Sequence, residues 1–173
     1  MFNSKKNKNI VFIGFMGSGK SSTSKCLAKL LKRKVLSTDQ MIVAQEKKTI
    51  AKIFKKEGEP YFRELEKKMV AKIFQKENII VDCGGGVVLN PDNIKHLKKN
   101  GILIYLYTSP AWIYKRIMTN KKRPLLNVKN PLVKIKQLLK DRQFLYRQAD
   151  HAIDTDGKTP EEVALKVREL LKL

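Results

Sequence analysis

The stretch from Gly14 to Ser21, with the sequence GFMGSGKS, contains residue types that bind phosphate groups. Its spacing is G-x-x-x-x-G-K-[ST], in which the glycines let backbone N–H groups converge on phosphate oxygens at the start of a helix. In such a loop Lys20 reaches the β- and γ-phosphates of a nucleoside triphosphate, and the Ser21 hydroxyl binds magnesium. A tight turn alone would explain the glycines but not the Lys-Ser pair. The motif predicts a nucleotide site made by Gly17, Ser18, Gly19, Lys20, Ser21 and Ser22.

The segments on either side of this loop predict a strand before it and a helix after it. Residues 9–14 form a short, continuous apolar run, and residues 20–31 place apolar side chains at helical spacing. Other strand-like runs lie at 79–86 and 101–110, with shorter candidates at 35–37 and 151–154. Strands that alternate with helices form a parallel sheet covered on both faces, and ligands bind at the carboxyl ends of its strands. We therefore expect an α/β fold.

Two segments are expected to be inserted around this sheet. The first is helical, from about residue 49 to 76, and belongs to a substrate-binding insertion at about 38–76. The second, at about 119–131, is basic and contains two prolines, which favours a lid that closes over the site, with an ordinary surface loop as the alternative. We expect these segments and the sheet to form a single domain that spans residues 1–173.

The composition indicates a folded domain with an anionic partner. Apolar residues make up 42% of the 173 residues, which is enough for a proper core. Lys and Arg number 37 against 16 Asp and Glu, a net charge of +21, so an anionic substrate is expected. Only seven of the 37 are Arg, and the Lys are scattered along the chain. We therefore do not expect nucleic acid as the partner, and the few Arg are the better candidates for specific anion contacts.

The cysteines, the histidines and the first residues exclude other classes of protein. Cys26 and Cys83 lie in no CxxC or Cys/His pattern, and His96 and His151 are isolated, so neither a disulfide framework nor a zinc cage is expected. The apolar run near the start is too short for a signal peptide or a membrane span. We expect a cytoplasmic protein that does not associate with membranes.

Further motifs distinguish kinases from GTPases. A guanine-reading Asn-Lys-x-Asp is absent from the sequence, because Asn-Lys-Lys at 120–122 is followed by Arg123. Present instead, in chain order, are Thr-Asp at 38–39, Gly-Glu-x-x-Phe-Arg-x-x-Glu at 58–66, Gly-Gly-Gly at 84–86 and Arg-Pro-Leu-Leu at 123–126. In the order and spacing of these motifs, over nearly its whole length, the chain resembles the shikimate kinases.

That resemblance implies a three-layer α/β/α sandwich with a five-stranded parallel sheet in the order 2-3-1-4-5, of the P-loop kinase type with a lid. It also implies the reaction, which is transfer of the γ-phosphoryl group of ATP to the 3-hydroxyl of shikimate in aromatic amino acid biosynthesis. ATP and Mg²⁺ are the implied cofactors, and a monomer is expected.

The resemblance assigns roles to individual residues as well. Arg63 and Arg142 stand where the family binds the shikimate carboxylate, which suits two planar guanidinium groups; a surface salt bridge is the alternative. Asp39 is expected to orient the attacking hydroxyl, with Lys20 and Arg123 stabilising the charge on the transferring phosphoryl group. Further contacts are expected from Gly84, Gly85 and Gly86 to shikimate, and from Arg116, Arg123 and Lys158 to the nucleotide.

One departure from the family concerns its acidic residues. The family usually carries Asp-x-Asp where this chain has Ser37-Thr38-Asp39, so one carboxylate near the magnesium is missing. Two residues before the triple glycine, where the family commonly has a small hydroxyl residue, the chain has Asp82. An Asp at the end of a buried strand commonly supports magnesium in P-loop proteins. We therefore predict a metal site at Ser21 and Asp82, with a structural hydrogen-bonding role for Asp82 as the alternative.

Two other functions remain open at this point. A related P-loop kinase for another small polyol, such as gluconate, would share the phosphate loop and the lid but lack the paired arginines. A nucleic-acid-binding protein is favoured by the net charge alone and predicts strongly salt-dependent affinity for DNA or RNA.

Overall fold

The computed structural model describes residues 8–118 and 128–173. Five parallel strands form one sheet in the order β2-β3-β1-β4-β5. Their bounds are β1 Asn9–Ile13, β2 Val35–Ser37, β3 Ile80–Asp82, β4 Gly101–Tyr107 and β5 His151–Asp154. The predicted parallel sheet and its order are confirmed.

Seven α-helices and one short 3₁₀ turn accompany the sheet in the described part of the chain. The helices are α1 Lys20–Leu31, α2 Thr38–Glu46, α3 Ile50–Phe74, α4 Pro91–Lys99, α5 Pro110–Met118, α6 Pro131–Tyr146 and α7 Pro160–Leu171. The 3₁₀ turn, Val87–Leu89, follows the triple glycine directly. Strands and helices therefore alternate as the sequence pattern predicts.

The central strand β1 is buried on both faces, which explains its continuous apolar sequence. Val11 and Ile13 pack in a core with side chains of α3 and α4, whereas Ile10 and Phe12 pack on the opposite face with side chains of α1 and α7. Because side chains alternate along a strand, every neighbouring strand divides its residues between the same two faces. The result is the predicted three-layer α/β/α sandwich.

Helix α3 is bent at Gly58, in its first half. Gly58 has φ 84° and ψ 172°, a conformation outside the helical region that glycine adopts without strain, and Pro60 follows it. Beyond this bend, Phe62, Leu65 and Met69 pack into a separate apolar cluster with α2. The helical character expected at about 49–76 agrees with α3, and the substrate-binding role of residues 38–76 stays a prediction.

The described residues test only part of what the sequence predicts about the lid, the membrane and the domain boundaries. Most of the lid expected at about 119–131 lies outside the described residues. Within them, no helix is long and apolar enough to cross a membrane. The boundaries of the single domain and its insertions stay predictions.

Candidate active site

The phosphate loop connects β1 to α1. Gly17 and Gly19 have φ values of 80° and 90°, in the left-handed region where glycine is the favoured residue. Gly19 is the N-cap of α1, and no side chain caps that end of the helix. The first-turn N–H groups of α1 therefore offer an anion site at the positive end of the helix dipole. Ser21 and Ser22 are exposed in the same turn.

Lys20 is held against the loop to which it belongs. Its Nζ donates hydrogen bonds to the carbonyl oxygens of Gly14, at 2.8 Å, and Phe15, at 2.9 Å. The side chain is buried, so few alternative orientations are open to it. The loop thus orients its own ammonium group at the entrance of the expected phosphate site.

Two carboxylates converge beside the phosphate loop, at Gly84. A Cβ atom at Gly84 would lie 2.5 Å from Asp39 Oδ1 and 2.9 Å from Glu66 Oε1. Asp39 is in the first turn of α2, which begins where β2 ends, whereas Glu66 lies on α3. The Gly84 N–H donates to Thr38 Oγ1 at 2.8 Å. The structure therefore gives Gly84 a role in making room for two acids and in holding α2, besides its predicted contact with substrate.

The two arginines predicted to bind a carboxylate lie around the same acids. Arg63 pairs through Nη1 with Glu66 and through Nη2 with Glu59, each at 2.8 Å, and its guanidinium lies against Gly86. Arg142 on α6 is 9% exposed, and its positive charge reaches Glu66 and Tyr146. The structure thus brings together side chains from three helices that lie far apart in the sequence.

Glu66 is a residue to which the sequence analysis assigns no role. Its side chain is 1% exposed, and burial, opposed by Arg63 and Arg142 and assisted by Asp39, raises the pKa of Glu66 to about 7. Among the described residues its Oε1 has no hydrogen-bond partner. The signal available in the sequence was its spacing, since a glutamate three residues after an arginine on a helix faces that arginine.

Tyr146, four residues after Arg142, is a second contributor to which the sequence assigns no role. Its hydroxyl donates to the Gly85 carbonyl at 2.6 Å, and its ring stacks on Tyr105 with centroids 5.0 Å apart. Burial raises the pKa of Tyr146 above its usual value. The tyrosine ties the triple-glycine loop to α6, the helix that carries Arg142.

Gly85 joins the two halves of the site. A Cβ atom there would lie 3.2 Å from the Met16 nitrogen and 3.5 Å from the Gly14 oxygen, both in the phosphate loop. A side chain at position 85 would therefore push the triple-glycine loop away from the phosphate loop. The close approach puts the carboxylates and arginines next to the place where phosphates are expected.

Arg116 and Lys158 lie on the other side of the phosphate loop. Arg116 on α5 donates to the Gly17 carbonyl at 3.3 Å and to the Thr155 carbonyl at 2.7 Å. Lys158 Nζ donates to the Asp156 carbonyl at 3.4 Å, in the loop after β5. Arg116 thus connects the phosphate loop to the loop after β5, which also carries Lys158. The nucleotide contacts of both residues stay predictions, and Arg123 lies outside the described residues.

Of the two residues predicted for magnesium, Ser21 lies in the first turn of α1, and Asp82 is the last residue of β3, the strand beside β1. Ser37 and Asp82 are paired in register on β2 and β3, and each is 8% exposed. Hydroxyl and carboxylate oxygens are the hard ligands that Mg²⁺ prefers, and they lie at the sheet edge that faces the phosphate loop. In the described residues no group of three or more His, Cys, Asp or Glu could hold a metal ion by itself.

A parallel sheet in this order, a phosphate loop after its central strand and an anion pocket beside that loop define a P-loop kinase of small molecules. A family model described as shikimate kinase matches residues 16–172. The chain belongs to the shikimate kinase family.

Individual relatives match over nearly the full chain. The shikimate kinase of Caldanaerobacter subterraneus subsp. tengcongensis is 46% identical over 167 residues, which cover 96% of this chain and 98% of the relative. That of Thermoanaerobacter pseudethanolicus is 47% identical over 160 residues, 92% of this chain and 94% of the relative. The solved structure of the shikimate kinase from Acinetobacter baumannii in complex with shikimate is 36% identical, with a TM-score of 0.93, and the match covers 97% of this chain and 94% of that one.

Proposed function

We propose that the chain transfers the γ-phosphoryl group of ATP to the 3-hydroxyl of shikimate, with Mg²⁺. The observation that carries this proposal is the contact at Gly85 between the phosphate loop and a pocket that contains Asp39, Arg63 and Arg142. Shikimate has one carboxylate and three hydroxyls, so it needs planar cationic donors and a hydroxyl acceptor in one place. The solved relative with shikimate bound supports the same substrate.

On the nucleotide side, the chain supplies backbone donors and one ammonium group. When phosphates bind, Lys20 exchanges the carbonyls of Gly14 and Phe15 for the β- and γ-phosphate oxygens. Mg²⁺, held with the help of the Ser21 hydroxyl, supplies charge that neutralises these phosphates. We assign Arg116 and Lys158 to the base, which is supported by the hydrogen bond from Arg116 to Gly17 in the phosphate loop.

On the acceptor side, Asp39 orients the attacking hydroxyl and takes its proton. Phosphoryl transfer through a loose transition state demands little of a base, so positioning is the larger part of its role. Arg63 and Arg142 bind the carboxylate of the substrate, and Arg63 gives up part of its pairing with Glu59 and Glu66 to do so. Gly84, Gly85 and Gly86 provide the backbone that the substrate approaches.

The lid and the assembly state are proposed from the sequence alone. Arg123, at the start of the Arg-Pro-Leu-Leu motif, is proposed to stabilise charge on the transferring phosphoryl group once the lid closes. We also propose that the chain acts as a monomer.

The alternative functions are not favoured. A gluconate-type kinase does not require the pair of arginines with Asp39, and the two relatives described above, at 46% and 47% identity, are shikimate kinases. A solved gluconokinase that covers 95% of this chain is only 16% identical, a likeness that shows the fold alone. The net charge remains the only argument for nucleic acid binding.

A coupled assay of ADP release tests the proposed function directly. Shikimate should stimulate ADP release in the presence of MgATP, whereas gluconate and nucleoside monophosphates should not. Shikimate methyl ester, which lacks the carboxylate charge, is the matched control and should be a poor substrate if the two arginines bind that charge. ³¹P NMR of the product should show a phosphomonoester on the 3-hydroxyl, and stimulation by gluconate instead of shikimate would contradict the proposal.

A further inference from the structure

Asp82 is an acidic residue at the end of the strand beside β1, which leads into the phosphate loop. It is the last residue of β3, and its neighbours in register are Phe12 on β1 and Ser37 on β2. It is 8% exposed, and no hydrogen bond or ion pair reaches its carboxylate from residues 8–118 and 128–173. Its carboxylate oxygens are not among the buried polar atoms of the described residues that lack a hydrogen-bond partner, so they are not sealed inside the core. A hard oxygen ligand that stays accessible on an otherwise buried side chain can meet a magnesium ion or one of its waters.

The side chain of Asp82 lies on the face of the sheet that α1 covers. Ile80, two residues earlier on β3, packs in the core with Leu27 of α1, whereas Val81 packs on the opposite face. Side chains alternate along a strand, so Asp82 lies on the same face as Ile80. That face leads to the first turn of α1, where Ser21 follows Lys20.

Ser37 lies on this face as well. Val35, two residues earlier on β2, packs against the same α1-side core, and Ser37 is paired with Asp82 in register. Neighbouring strands in a sheet are about 4.8 Å apart, so side chains at these two positions point the same way from adjacent places. A carboxylate at either position would reach the same space beside α1.

We propose that Asp82 supports the magnesium ion of the nucleotide site, together with Ser21, and that positions 37 and 82 are interchangeable hosts for that one carboxylate. Mg²⁺ keeps several water ligands and is bound through one or two carboxylates plus phosphates, which fits a single acid on an adjoining strand. Ser37 is then free to cap α2, where its Oγ accepts a hydrogen bond from the Gln40 N–H at 3.5 Å. This inference rests on the proposed kinase function and adds the residue that holds its metal.

Calorimetric titration with ADP, with and without MgCl₂, tests the proposal without relying on turnover. The quantity of interest is the factor by which magnesium strengthens ADP binding. Asp82→Ser should reduce that factor by about tenfold, as loss of a metal-supporting side chain commonly does, and leave magnesium-free ADP binding unchanged or slightly stronger. Adding Ser37→Asp to this variant should recover most of the factor. If the two positions acted independently, the change in the magnesium factor of the double variant would be the product of the changes in the two single variants. We expect the factor measured for the double variant to differ from that product by more than about twofold.

The thermal midpoint of Ser37→Asp alone is a second measurement, and it also shows whether a variant is folded. It places two carboxylates directly opposite each other in register, so its thermal midpoint should fall without magnesium and rise more than that of the wild type on addition of MgADP. Asp92→Ser is the matched control, since Asp92 is an exposed acid on α4 and should leave the magnesium factor unchanged.

The outcomes separate this inference from the function on which it rests. A wild-type chain that binds neither ADP nor MgADP would contradict the proposed function. A wild type that binds MgADP while Asp82→Ser shows the same magnesium factor would overturn the inference alone. A loss of ADP affinity by the same factor with and without magnesium would also overturn it, because that result assigns Asp82 to the fold of the phosphate loop.

Discussion

The nucleotide side and the acceptor side of the site are built in opposite ways. The nucleotide side is one contiguous loop, in which Lys20 is oriented by backbone carbonyls and the remaining donors are amides at the start of α1. The acceptor side is assembled from α2, α3 and α6, and charged side chains hold one another in place there. Backbone geometry follows from local sequence, whereas a balance of charges depends on the whole fold.

The largest effect that separates the two sides is expected from Lys20→Met. The substitution keeps the length of the side chain and removes the ammonium group that stabilises charge on the phosphates. Loss of one such group lowers kcat by about 10²–10³-fold. Shikimate binding measured without nucleotide should not change, because Lys20 belongs to the other side of the site.

Lys25→Met is the control for this measurement, since Lys25 is exposed on the same helix and should retain full activity. If the shikimate affinity of Lys20→Met fell by a factor similar to its kcat, the two sides would be coupled through Gly85. The distinction between them would then not hold.

The same contrast explains what the sequence reveals about the fold. The apolar run at 9–14 predicts β1 closely, because every residue of that strand is buried. The short candidates at 35–37 and 151–154 coincide with β2 and β5. The run at 79–86 predicts a longer strand than β3, which ends at Asp82 because the following glycines form a loop that turns into the 3₁₀ segment. The run at 101–110 is likewise too long, since Pro110 begins α5.

The site follows the same rule. The phosphate loop and its neighbours could be predicted residue by residue from one local motif. For Arg63 and Arg142 the residue type and the resemblance to a family were enough to suggest a role, but their burial and partners were not. Glu66 and Tyr146 escaped assignment because their importance lies in contacts with Asp39 and Gly85, which are tertiary. Periodicity carries no information about such contacts.

An intermediate effect is expected from Arg63→Lys and from Arg142→Lys. Lysine keeps the charge but loses the planar fork that binds a carboxylate through two hydrogen bonds. A charged hydrogen bond contributes about 1.5–3 kcal/mol, so the KM for shikimate should rise by roughly 10–100-fold. The KM for ATP should stay within about twofold, which steady-state kinetics with each substrate varied in turn would measure.

Arg147→Lys is the matched control, because Arg147 is exposed just after α6 and has no assigned role. Parallel rises in both KM values would instead place these arginines in the framework of the fold, and an unchanged shikimate KM in both variants would remove them from the substrate site.

The smallest effect is expected from Glu66→Gln, and it concerns stability. Burial raises the pKa of Glu66 from 4.5 to about 7, so between these values the folded chain binds more protons than the unfolded chain. The contribution of this carboxyl to stability is therefore fully present below about pH 4.5 and is lost as the pH rises to about 7. Glutamine keeps the shape of the side chain and removes the titration.

The stability of the wild type relative to Glu66→Gln should thus fall by roughly 1–2 kcal/mol between about pH 5 and about pH 8, as measured by urea unfolding. Glu59→Gln removes the exposed partner of the same guanidinium and should change stability by a similar amount at both pH values. Identical pH dependence in the wild type and in Glu66→Gln would mean that Arg63 and Arg142 compensate the buried carboxylate fully. The buried charges of the acceptor side would then cost the folded chain no stability. This side would no longer differ from the phosphate loop in the way that the comparison requires.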